Sequence, residues 1–241
     1  MKERPILFSA PMVRAILAGT KTQTRRVVKG APEDWSPVQP QVYAPTIVDR
    51  HGFEQPGPDA FGAGDAQGQH WIRCPYGQPG DLLWVRETWG YRCSSSTQQS
   101  GLFMNTVGYR ADDARQTFGP MPMDGVGLPQ QRDRAPDEAH EKWEAYLNRY
   151  WRQWRPSIHM PRWASRITLE VTDVKVERLQ DISEADAIAE GTPGGHGAIP
   201  GYTYNATPTE HYKLLWESIN GPGSWEANPW VWCVSFRRVP A

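Results

Sequence analysis

Between residues 30 and 79 the sequence has no hydrophobic period: Pro, Gly, Gln and Asp recur irregularly, and no window supports a helix or a long strand. A chain interrupted in this way must build its core from short segments on either side, with this stretch as a long irregular insertion. The interruption is not local. The chain carries 22 Gly and 22 Pro in 241 residues, which keeps most elements short.

The organised segments are few and distinct. ILFSAPMVRAILAG reads as the end of a strand, then a helix capped by Ser9, with Pro11 in its first turn and Gly19 as its stop. Met12, Val13, Ile16 and Leu17 form its inner face. PGDLLWVRETWGY is a turn feeding a strand from about Leu82. Residues 93–136 read as loop, although LFMNTVGYRAD fits a hairpin strand. PDEAHEKWEAYLNRYWRQW has the clearest helical period, with Trp143, Tyr146, Leu147 and Tyr150 inward. RWASRITLEVTDVKVERL alternates as one or two strands. ISEADAIAEG is a short helix with Ser183 as cap, Asp186 closing a capping box and Gly191 as stop. PTEHYKLLWESING and PWVWCVSFRRV supply a last helix and a last strand. Short strands, few helices and long loops predict one α+β domain over residues 1–241, built on a small curved sheet or barrel, with insertions at about 30–78 and 93–158.

Composition narrows the setting. Lys and Arg number 26 against 27 Asp and Glu, so the net charge of −1 makes no demand for nucleic acid, though a local basic patch is compatible with it. Cys74, Cys93 and Cys233 are odd in number and irregularly spaced, without a partner pattern for zinc, as expected of a reduced cytoplasmic chain. The N-terminal apolar run is too short for a signal peptide, and a mean hydropathy of −0.65 offers no spanning helix. The expectation is a soluble, intracellular protein with no membrane partner. Twelve Trp exceed what a core of this size needs, and indole faces suit stacking on flat ligands as well as packing.

Chemistry concentrates in AGTKTQTRRVVK, residues 18–29, which sets three threonines and four cations just past a helix end. If the segment after the turn is extended, Thr22 and Thr24 share one side and Gln23 and Arg25 the other. A threonine hydroxyl becomes a nucleophile only when a base takes its proton. Lys21 is such a base only if burial and neighbouring cations such as Arg25 and Arg26 lower its pKa. The same composition also fits a solvated basic turn.

Four segments, ILAGTKTQTRR, PGDLLWVRETW, SRITLEVTDVKVERLQDISEADAIAEG and the closing WVWCVSFRR, occur in an order that resembles the ASCH family, and most closely the larger ASCH proteins of prophages and bacterial genomes. The resemblance covers residues 4–29, 75–92, 160–192 and 206–238 and leaves the insertions unexplained. It implies a PUA-like β-barrel. It also implies two kinds of function, because a small bacterial ASCH protein is an N4-acetylcytidine amidohydrolase while other PUA-like proteins bind RNA or modified bases. Carried over by the pattern G-x-K-T-x-T-x-R and by the short helix after the central strands, the amidohydrolase triad falls on Lys21, Thr24 and Glu190. The implied reaction removes an acyl group from N4 of cytosine or cytidine without a metal or other cofactor. The alternative is an RNA-binding or modified-base-binding module, with or without ribonuclease activity.

Each candidate has a structural reading beside the functional one. Glu190, just before a helix-stopping glycine, equally suits an exposed last-turn carboxylate. Arg86 and Glu87 alternate across their strand, so one of them points inward, as a substrate contact or as half of a buried ion pair. Arg25, Arg86 or a backbone N–H near the helix stop are candidate donors to an oxyanion, and Arg25 and Arg26 are further candidates for substrate binding. Trp89, Trp163, Trp230 and Trp232 fit either the wall of a pyrimidine pocket or the core. FGAGDAQGQ is glycine-rich but lacks the lysine and the strand-to-helix setting of a phosphate loop. NRYWRQWRP alternates arginine with aromatics, as single-stranded nucleic acid sites do, or as a helix burying its aromatics does.

Overall fold

The computed structural model describes residues 1–95, 103–118 and 154–240. In chain order the strands are β1 (Glu3–Leu7), β2 (Gln23–Val27), β3 (Gln41–Tyr43), β4 (Thr46–Val48), β5 (Glu54–Pro56), β6 (Ala60–Ala63), β7 (Ile72–Arg73), β8 (Leu82–Arg86), β9 (Trp89–Ser95), β10 (Phe103–Tyr109), β11 (Arg115–Phe118), β12 (Thr168–Arg178) and β13 (Trp230–Val239). The helices are α1 (Ala10–Leu17), α2 (Glu184–Ala189) and α3 (Pro208–Asn220). The fold is α+β, dominated by sheets. These elements gather into two compact units, one of Met1–Ile6, Ala15–Trp84 and Ile167–Ala241, the other of Leu7–Arg14 and Val85–Arg166.

The first unit is organised on β12 and β13, whose β-branched alternation pairs them antiparallel from Thr168↔Val239 to Arg178↔Trp230, with a bulge between Val171 and Asp173. β2 adds to β13 in the register Cys233↔Arg25 and Val234↔Thr24, and β8 adds to β12, giving the order β1-β8-β12-β13-β2. The barrel expected from the sequence is not seen: among the described residues β1 and β2 remain the two edges of an open sheet. One face is covered by α2 and α3, where Leu179, Ile182, Ala187, Tyr212, Trp216 and Val231 form a buried apolar cluster. α3 starts from a full capping box, with the Thr207 hydroxyl and the Glu210 carboxylate each taking the other's backbone N–H.

The insertion at 30–78 is not wholly irregular. Its short strands pair as β3-β6-β7 and as the hairpin β4-β5, which lack the length for a visible period. The glycines of FGAGDAQGQ serve this packing. A Cβ on Gly62 would fall on the Ile72 carbonyl, and one on Gly64 would lie 2.7 Å from the Trp71 ring. Trp71 in turn stacks on Tyr43 with centroids 4.2 Å apart.

In the second unit, part of the insertion expected over 93–158 forms the antiparallel sheet β11-β10-β9, and the hairpin strand read from LFMNTVGYRAD is β10. Its core joins Trp89, Val107, Tyr109, Met160 and Ala164. The helix expected over residues 136–154 lies, but for Trp154, outside the described residues.

Gly191 fixes where α2 ends. It has φ +90°, and a Cβ there would lie 3.3 Å from the Ala15 Cβ and 3.5 Å from the Lys21 Cβ. Gly19 has φ +75° with nothing within 4 Å. Gly19→Ala is therefore expected to cost about 1 kcal/mol from backbone conformation alone. Gly191→Ala should cost more, because the close approach adds to the same penalty. Urea midpoints of the two variants compare them directly, and equal losses would mean that the contact with Lys21 is slack.

Candidate functional site

Lys21 sits at the exit of the turn that follows α1, where all four backbone N–H groups from 19 to 22 are engaged. Gly19 donates to Ile16 O, Thr20 and Lys21 both donate to Ala15 O, and Thr22 donates to Ala189 O at 2.8 Å. That last bond ties the turn to the end of α2. The expectation that a backbone N–H near the helix stop is available to an oxyanion is therefore not met.

The tie places Lys21 against Glu190, the C-terminal cap of α2. The Lys21 ammonium donates to Glu190 Oε2 at 2.5 Å and to the Glu190 carbonyl at 2.9 Å. Both side chains are withdrawn from solvent, 0% and 2% exposed, so Glu190 is not the exposed last-turn carboxylate of the alternative reading. Burial holds the Lys21 pKa below its ordinary value; Glu190 pulls it upward without offsetting the desolvation, and Arg26 and Arg25 push it down further. Deep burial and cationic neighbours are what a lysine needs to act as a base near neutral pH.

Beside this pair lies the Arg25 guanidinium, also 0% exposed. Its Nε and Nη2 donate to Glu177 Oε1 at 2.9 and 2.6 Å, and its Nη1 donates to Gln23 Oε1 at 2.7 Å. It further lies 3.5 Å from Glu190 Oε1 and 3.4 Å from Asp186 Oδ2. Gln23 passes the network to Ser235, donating through Nε2 at 3.2 Å. Arg25 was a candidate for substrate or oxyanion contact, but its donors are committed within the protein, and it orients Glu190 instead.

Asp186 does two tasks. Its backbone N–H caps onto the Ser183 hydroxyl, which donates back to Asp186 Oδ2 at 2.7 Å. Burial alone would raise its pKa, but the Ser183 hydrogen bond and the Arg25 charge outweigh that and hold it below the ordinary 3.8. Cys233, registered opposite Arg25, has its thiol pushed up to about 12 by burial, so it stays protonated and is no nucleophile at neutral pH.

Thr24 is separated from this set. It is 1% exposed and pairs with Val234, which puts it on the sheet face opposite to Gln23 and Arg25. Arg26 shares that face, half-buried and registered with Trp232. The structure thus brings Lys21, Glu190 and Arg25 into one network, with Thr24 on the same strand but facing the other side.

Arg86, Glu87, Trp89 and Trp163 belong to the second unit. There Glu87 is the inward member of its pair, 1% exposed, and receives Arg166 through two bonds of 2.9 and 3.0 Å. Arg166 also donates twice to Asp112 and lies 4.0 Å from the Tyr109 ring centroid, a closed arrangement with a structural purpose. Trp89 is core, with Trp163 edge-on at 6.1 Å. In the first unit Trp232 is likewise core, and Trp230 is half-buried against Arg178 at 4.4 Å. Of NRYWRQWRP only residues 154–156 are described, and Arg155 lies 5.2 Å over the Trp89 ring.

The reading of the sequence set Gln23 on the Arg25 side but did not find Glu177 or Ser235, which complete the network. Their signal is register: Gln23 pairs with Ser235, and Val231 pairs with both Val27 and Glu177, so these positions share the Arg25 face only once the strands are aligned.

Comparison of the chain with protein-family models, with curated proteins and with solved structures finds no match.

Two expectations follow from the network. Breaking the pair with Glu190→Gln or Lys21→Met leaves a buried charge alone and should cost about 3–5 kcal/mol, whereas the double variant recovers most of that loss. Denaturant unfolding of the four proteins closes the cycle, and additive losses would show that the two groups are not coupled. The Asp186 carboxylate, with its folded pKa depressed, adds stability that is fully present above the unfolded value of 3.8 and is lost as pH falls through the folded value. Asp186→Asn should flatten that acid limb in urea midpoints taken across this range.

Proposed function

We propose that this protein is an amidohydrolase of PUA-like ASCH type that removes an acyl group from N4 of an acylated cytosine or cytidine. The observation that carries the reading is the buried Lys21–Glu190 pair, in contact at 2.5 Å, with the lysine pKa lowered by burial. Passing one proton from Lys21 to Glu190 turns an ion pair into a neutral amine beside a carboxylic acid. That exchange supplies a general base and a general acid at once.

The chemistry balances in one displacement. Lys21 takes a proton from an attacking water as the water oxygen bonds to the acyl carbon, and Glu190 protonates N4 as the C–N bond breaks, so that the acid and cytosine depart. The pair is now ammonium and carboxylate, and passing one proton back from Lys21 to Glu190 restores the starting state. Thr24, on the opposite face of β2, does not meet this pair as a nucleophile. Arg25 acts through Glu190 and is a positioning residue. A net charge of −1 favours a small nucleoside or nucleobase over RNA, whose binders usually show a basic excess.

The purified protein is expected to release cytidine from N4-acetylcytidine, followed by absorbance and chromatography. Lys21→Ala and Glu190→Ala should each lower kcat by about a hundredfold or more, with folding checked by circular dichroism. Thr24→Ala should leave kcat within about threefold of the parent, and a hundredfold loss with an acyl-enzyme seen by mass spectrometry would return the nucleophile's role to Thr24. No turnover by the folded parent on acetyl or bulkier acyl substrates would overturn the reading.

A further inference from the structure

A second group of charged side chains lies in the first unit, none of them a member of the Lys21–Glu190–Arg25 network. A cavity of about 90 Å³ is walled by Lys2 and Arg4 from the start of the chain, Asp59, the β7 residue Arg73, and the turn from Cys74 to Asp81. The volume is that of about three water molecules, enough for a small tetrahedral ion and too little for a nucleobase.

Its cations are unspent. The Arg4 Nε is buried without a hydrogen-bond partner. Among the described residues, the Lys2, Arg4 and Arg73 side chains form no hydrogen bond or ion pair. This contrasts with Arg25 and Arg166, whose guanidinium groups are saturated by carboxylates at 2.6–3.5 Å and 2.8–3.0 Å. A buried guanidinium nitrogen without a partner calls for an explanation, and an oxyanion with several lone pairs is the acceptor that suits it.

The two carboxylates on the wall do not remove the excess. Asp81 is 5% exposed and occupied by backbone, accepting from Lys2 N at 2.7 Å and from Gln78 N at 3.4 Å. Asp59 is exposed at the rim, so three cations face two carboxylates, one of them engaged. Gly77 keeps the floor open. It has φ +90°, and a Cβ there would lie 2.6 Å from Asp81 Oδ2 and 3.2 Å from Arg4 Nε. Cys74 offers no covalent alternative, because burial pushes its thiol up to about 11.

We propose that this cavity binds a phosphate group, held by Arg4 at its floor and by Arg73 and Lys2 at its mouth. The group is free phosphate or the terminal phosphate of a monoester whose remaining part stays outside. Calorimetric titration of the full chain with inorganic phosphate, and in parallel with ribose 5-phosphate, at constant ionic strength, tests it. Saturable one-to-one binding is expected. Arg4→Gln and Arg73→Gln should each weaken it roughly tenfold. Asp59→Asn, by removing a like charge at an exposed position, should tighten it severalfold. The Arg73 and Asp59 variants alter exposed residues and keep the test decisive if Arg4→Gln unfolds. Tighter binding of ribose 5-phosphate assigns the site to a monoester, and tighter binding of inorganic phosphate assigns it to the free ion. Absence of saturable binding, or binding that Arg73→Gln and Asp59→Asn leave unchanged, overturns the proposal.

Discussion

The first unit depends on burying two cations beneath α2. Lys21 and Arg25 have fully shielded side chains, and removing such charges from water costs several kcal/mol each unless partners surround them. Glu190, Glu177 and Asp186 supply those partners from the C-terminal cap of α2, the end of β12 and the first turn of α2. The helix is therefore fixed at both ends by charge, and the position of β2 at the sheet edge is fixed with it. The apolar cluster around Tyr212 and Trp216 supplies the nonspecific part of the packing, and the carboxylates set its register.

How much of this was legible follows from where the information lies. The α1 stop at Gly19, the α2 cap at Ser183 and the long alternation of β12 and β13 are local signals, and each sits where the sequence put it. Lys21 and Glu190 were both marked, but their contact across 169 positions came only through a family pattern. Glu177 carries no local mark: an acidic residue near the end of a strand is ordinary until register sets it on the Arg25 face. The small strands of 41–73 escaped notice because two to four residues are too few to display alternation. The open sheet differs from the expected barrel for a related reason, since closure is a pairing between distant edges.

Saturation separates the arginines into two kinds. Arg166 has Glu87 and Asp112 on its donors and Tyr109 beneath its plane, so nothing remains for a ligand. Arg25 is equally committed. Arg4 is not, although its Nε is as hidden from solvent. Burial alone therefore does not mark a functional cation, because all three share it. At Arg4 burial without a partner coincides with a cavity lined by two more cations, and that coincidence is what sets it apart.

The same test, turned on Lys21, gives a different result. Its ammonium has a partner, so by saturation it resembles Arg25. Yet it is not the only tie on α2. Arg25 already ties that helix through Asp186 and Glu190, Thr22 N–H ties it to Ala189 O, and the close approach at Gly191 fixes its end. An apolar side chain at position 21 would fill the space without desolvating an amine, and replacing a buried ion pair by apolar groups is often neutral or stabilising. What the lysine adds beyond anchoring is an amine with a depressed pKa in contact with a carboxyl group. A buried amine of this kind, set where an apolar side chain would pack, is the group that the proposed deacylation would draw on.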